Sequence, residues 1–149
     1  MFQKIIFFFL LILLMACNKQ EFNQQKTLVP YTAVNTTTNP FDPTFISNTG
    51  VGGYTIITGQ GYNANGIIVF NLGNNYFLAF DLTCPYIDPE ECTTSMSVNT
   101  SGKMSCDNCT NDNITFTQYN TSATVNGQTY SLRQYSAILE GNAVRITNF

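Results

Sequence analysis

The sequence predicts an all-β protein, and three observations carry that expectation. From Gly52 onward the chain is a series of short runs rich in Ile, Val, Tyr, Phe and Thr, each bounded by Gly, Asn or Pro, which is how antiparallel strands are punctuated. Outside the first 16 residues no stretch of helical length carries apolar residues at three-and-four spacing. Two turn signals, Gly73-Asn74-Asn75 and Asn126-Gly127, sit between apolar runs and supply residues that tolerate positive φ.

The elements follow in order. Strands are expected near residues 54–58, 66–72 and 76–82, the last two forming a hairpin. Ile67-Ile68-Val69-Phe70 and Tyr76-Phe77-Leu78-Ala79-Phe80 are continuous rather than alternating in polarity, so both strands should be covered on both faces. Ile114 to Thr117 is the next strand. Ala123-Thr124-Val125 and Thr129 to Leu132 flank Asn126-Gly127, the strongest short hairpin marker in the chain. Tyr135 to Leu139 and Ala143 to Thr147, split by Glu140-Gly141-Asn142, make a closing hairpin.

Ahead of this domain lies a different kind of sequence. Residues 1–16 place Lys4 before an apolar run from Ile5 to Met15, too short to span a bilayer and of the length of a signal-peptide core. Asn18 to Val29 is polar and unpatterned, as expected for a tether, and Asn35 to Pro43, rich in Asn, Thr and Pro, reads as an irregular arm packed on the domain. The expected division is therefore a leader over 1–16, an anchor residue with tether and arm over 17–49, and one β domain over 50–149. The net charge of −3 becomes −4 without Lys4, five basic against nine acidic residues, which argues against binding nucleic acid or anionic lipid by general electrostatics.

The leader closes on Leu14-Met15-Ala16-Cys17, which resembles the lipobox of bacterial lipoproteins. The resemblance implies that the Cys17 thiol is diacylated, that the leader is cut just before it, and that acyl chains hold the protein on a membrane in the bacterial cell envelope, outside the cytoplasm. Several chains anchor stably where one binds only marginally. Thiols there meet oxidising conditions, so the remaining four cysteines, Cys84, Cys92, Cys106 and Cys109, are disulfide candidates. Four cysteines allow three pairings, and their spacing does not choose among them.

The order of the cysteine-bearing pieces resembles the Rieske iron-sulfur domain from about residue 50 to the end. Cys84-Pro85-Tyr86 stands at that family's first cluster loop and Cys106-Asp107-Asn108-Cys109 at its second, followed by Phe116, by Asn126-Gly127 at its glycine turn, and by Leu132 to Tyr135. The resemblance implies an antiparallel β-sandwich or barrel with two cysteine-bearing loops facing each other. Facing loops would bring Cys84 near Cys106 and leave Cys92 for Cys109; local Cys84-Cys92 and Cys106-Cys109 bridges are the alternative. A Rieske cluster takes two imidazoles on one iron, and the chain has no histidine. Tyr86 and Cys109 occupy the histidine positions.

The expected function is thus a lipid-anchored structural or interaction module for an envelope partner, with no cofactor and its cysteine loops stapled by disulfides. The competing expectation is electron transfer by a 2Fe-2S cluster, or a zinc site, on Cys84, Cys92, Cys106 and Cys109. Two weaker readings are a redox-active Cys106-Cys109 dithiol, opposed by the charges of Asp107 and Asp112, and a hard cation on Asp88, Glu90 and Glu91, opposed by the lack of EF-hand spacing. No catalytic residues are expected: the chain has no Ser/His/Asp arrangement, and histidine-dependent catalysis is excluded.

Overall fold

The computed structural model describes residues 26–41, Pro43, Phe45 and 52–149. The leader, Cys17 and most of the expected tether lie outside the described residues. Eleven strands, a short 3-10 turn at Tyr62–Ala64 and the loops between them make up the described elements, so the chain is all-β as expected.

The central hairpin is β3 (Ile67–Asn71) and β4 (Phe77–Asp81), paired antiparallel from Ile67↔Asp81 to Asn71↔Phe77. Its turn is made by Gly73, Asn74 and Asn75, all at positive φ, a conformation that Gly and Asn adopt at least cost. β2 (Tyr54–Ile57) pairs with β3 on one side. On the other, β4 meets β10 (Gln134–Glu140), which pairs with β11 (Ala143–Thr147), and β11 with β1 (Asn35–Thr38). The result is one curled six-stranded antiparallel sheet, in the order β1-β11-β10-β4-β3-β2. A three-stranded sheet of β5 (Ser97–Val98), β6 (Met104–Ser105) and β7 (Thr115–Phe116) and a hairpin of β8 (Ser122–Val125) and β9 (Gln128–Ser131) complete the domain.

Successive strand side chains point to opposite faces, and both faces of β3 and β4 are covered. Ile68, Phe70, Phe80 and Leu82 pack with Met96, Met104, Phe116 and Leu132 under the small sheet and the cysteine loops. Ile67, Val69, Phe77 and Ala79 pack with Tyr135, Val144 and Ile146 inside the curl. Each fully buried large side chain stabilises the fold by roughly 1.5–3 kcal/mol, which explains the uninterrupted apolar character of this hairpin. Gly102, at φ 76°, lies against the first core: a Cβ there would sit 2.7 Å from the Phe70 ring.

The structure differs from the sequence reading in the N-terminal segment. Asn35–Thr38 is a regular edge strand rather than an irregular arm. Asn-Thr-Thr-Thr has no apolar periodicity to announce it, and what forms the strand is backbone pairing to β11 by β-branched residues on an edge. The last residues of the expected tether are likewise docked. Lys26 O accepts from Ser131 N, Leu28 N donates to Pro85 O at 2.8 Å, Val29 is buried, and the Arg133 guanidinium donates to Val29 O.

Candidate functional site at the cysteine loops

β4 delivers the chain into the first cysteine loop through Asp81. This carboxylate is fully buried and accepts three hydrogen bonds: Thr83 N at 2.8 Å, Tyr62 N at 2.7 Å and the Tyr135 hydroxyl at 2.7 Å. A buried carboxylate is tolerated only when its lone pairs are satisfied in this way. Gly61 leaves the room: at φ 77° it carries no Cβ, which would lie 2.6 Å from the Asp81 carboxylate. Burial first, then the Asp81 charge, push the Tyr135 phenol above the usual tyrosine range.

The first loop runs from Cys84 to Cys92 and turns on Asp88, whose side chain accepts from Glu90 N while its carbonyl accepts from Glu91 N and Cys92 N, each at 2.9 Å. The second is a tight Cys-x-x-Cys turn in which Cys106 O accepts from Cys109 N at 2.8 Å and from Thr110 N at 3.0 Å. The loops face one another and are joined by two disulfides, Cys84–Cys106 with Cα atoms 5.8 Å apart and Cys92–Cys109 with Cα atoms 5.7 Å apart. Both spacings lie in the ordinary range for the bond. The inner bridge is sealed in the core, whereas Cys109 of the outer one is half-buried and contacts Thr94 Oγ1 at 3.2 Å. Of the alternatives the sequence left open, this is the pairing of facing loops; Cys106 and Cys109 belong to different bonds and form no local dithiol.

Tyr86 is buried between these loops, its hydroxyl donating to the Asp112 carboxylate at 2.9 Å and its ring near those of Phe116 and Tyr130. Burial, followed by the Asp112 hydrogen bond and charge, pushes this phenol up as well, so it stays protonated at any physiological pH. A mixed cysteine and histidine cluster does not fit this donor set. The chain has no imidazole, the positions expected to supply it hold a protonated phenol and a disulfide sulfur, and Cys84 and Cys106 are bonded to each other. A tetrathiolate site would require both bonds to be reduced, because a disulfide sulfur is not a thiolate ligand. The cation reading of Asp88, Glu90 and Glu91 is not supported geometrically: among the described residues no three Cys, Asp or Glu side chains are grouped to hold a metal.

The acidic residues near the cysteines separate into two roles. Asp81 is the buried hub, while Asp88, Glu90, Glu91, Asp107 and Asp112 are exposed around the loop end. An open groove of about 580 Å³ is walled by Leu28, Tyr86, Ile87 and Val125, with Asp88, Glu91 and Asp112 at its edge. Ser105 donates to Asp107 at 2.7 Å and shares a 2.8 Å hydrogen bond with Ser97, tying the second loop to the small sheet. The sequence reading missed the Asp81 hub and the Tyr86–Asp112 pair, since each joins residues distant in sequence: Asp81 with Tyr135, and Tyr86 with Asp112.

The bridges are those of a protein held in an oxidising compartment, away from the reducing cytoplasm. Among the described residues no helix is long and apolar enough to cross a membrane. Comparison with known proteins finds no matching family model, no matching curated protein and no matching solved structure.

Proposed function

We propose that the chain is a lipid-anchored protein of the bacterial cell envelope whose Rieske-like domain holds disulfides where a cluster would sit, and that it works as a structural or interaction module for an envelope partner. One observation carries this reading: the four loop cysteines are consumed in two bridges that fasten the loops to each other. Rigid loops on a strand scaffold are a common way to present a binding surface. The order of cysteines, Phe116, Asn126-Gly127 and Tyr135 along the chain supports the family resemblance, and Leu14-Met15-Ala16-Cys17 supports the anchor.

The test is purification without oxygen, followed by visible absorption, iron and sulfide analysis, and intact mass with and without reductant before alkylation. The reading expects a colourless protein whose loop thiols react only after reduction. Two irons and two inorganic sulfides per chain would replace it with electron transfer, and four freely alkylated loop thiols would end the disulfide account. Cys17→Ser should abolish acylation and membrane retention; an unchanged lipid mass in that variant would refute the anchor.

A further inference from the structure

The place where the chain enters the domain has a consequence for how the domain faces the membrane. Lys26 joins beside Tyr130 in a parallel bridge, its carbonyl accepting from Ser131 N, and two residues later Leu28 N donates to Pro85 O in the first cysteine loop. Leu28 also lines the groove shared by Tyr86 and Val125. From there the segment runs away from the loops, with Val34 N donating to Asn148 Oδ1 and β1 paired along β11 from Thr147 to Val144. The entry point is therefore at the cysteine-loop end, and the Gly73–Asn75 turn lies at the other end of the β3/β4 hairpin.

Nine residue steps separate Cys17 from Lys26. At no more than ~3.3–3.6 Å per residue, they reach about 30 Å when fully extended. We infer that the cysteine-loop end is the face turned toward the anchoring bilayer, held within about 30 Å of it, and that a partner meeting this face belongs to the same membrane. The inference rests on lipidation at Cys17, as proposed above. Exposed carboxylates at Asp88, Glu90, Glu91, Asp107 and Asp112 oppose adsorption of this end onto anionic headgroups, so it stands off the lipid surface and is free to meet a protein. Lys26, the cation at the entry, is taken up over the Tyr130 ring, 5.2 Å from its centroid.

Energy transfer measures this orientation in the full-length protein reconstituted into vesicles of phosphatidylcholine with a minor fraction of phosphatidylglycerol, carrying a headgroup acceptor dye. A donor is placed by azide-bearing residues at Glu90, exposed in the first loop, or at Tyr76, exposed near the far turn. The two sites lie at opposite ends of β4, so they differ in height by about 17 Å if the hairpin stands along the membrane normal, five residues at ~3.3 Å each. Transfer from position 90 should exceed that from 76 by at least about two-fold, and raising the phosphatidylglycerol fraction should weaken it. Intact mass of the same samples reads acylation and both disulfides. Acylated protein with equal transfer from the two sites, or stronger transfer from 76, overturns the orientation and leaves the anchor standing. Protein without acyl mass overturns both.

Discussion

Replacing Cys84 and Cys106 together by alanine removes the inner bridge without leaving an unpaired thiol. The bond closes a loop of 22 residues, and the outer bond, Cys92–Cys109, one of 17. Because the bonds interleave, each closes the same ring of about 11 residues when the other is kept (8 steps from 84 to 92 and 3 from 106 to 109), so loop-closure entropy in the unfolded chain makes both worth about 3 kcal/mol alike. The inner pair also deletes two sulfurs that are 1% and 2% exposed in the core holding Phe80, Met104 and Phe116, so packing is lost in addition. The expected order is then parent, outer double alanine, inner double alanine, with the inner variant destabilised by at least about 3 kcal/mol and melting roughly 10 °C or more below the parent. Urea unfolding without reductant, extrapolated to water, measures it. An inner variant within about 1 kcal/mol of the parent would refute the view that these bridges hold the loop end together.

Three further predictions concern the same region. Titration with a small thiol reductant should open Cys92–Cys109 first, because Cys109 is half-buried while Cys84 and Cys106 are sealed; mass mapping that finds Cys84 and Cys106 alkylated in the two-thiol species would contradict this. The phenols of Tyr86 and Tyr135 are raised in the fold, so the unfolded chain ionises first, near its ordinary ~10: stability should be unaffected by them below that pH and fall as pH climbs above it. Tyr86→Phe should cost about 1 kcal/mol at neutral pH and shrink the alkaline loss, and a variant with the parent's full alkaline loss would show that Tyr86 has no part in it. Asp81→Asn turns an amide N–H₂ toward donors that the carboxylate now accepts from, and should destabilise by about 2–3 kcal/mol in urea unfolding. A neutral result would mean the hub relaxes around the amide.

How much of this could be read in advance depended on whether the signal was local. The β3/β4 hairpin was legible because both of its strands are apolar on both faces and its turn is Gly-Asn-Asn. The β8/β9 hairpin was legible from Asn126-Gly127, both at positive φ. β1 was not, since an Asn-Thr-Thr-Thr edge strand is specified by the partner it pairs with, β11, more than a hundred residues away. β5 and β6 are two residues each, too short for any period to show. At the site, the cysteines announced themselves, but their pairing is a property of two loops meeting in space, and the sequence alone left three pairings open. Tyr86 stands in the sequence where an imidazole is expected, but nothing local marks Asp112, 26 residues on, as its partner.

The two bridges interleave: in chain order the first cysteine joins the third and the second joins the fourth. Every peptide bond between Cys92 and Cys106 is consequently spanned twice. Lys103, exposed in the turn between β5 and β6, is the obvious place for a trypsin-like protease to cut, yet a cut there would leave the fragments held by both crosslinks and by the strands on either side. Such a weave gives the domain tolerance of backbone scission throughout the stretch from Cys92 to Cys106.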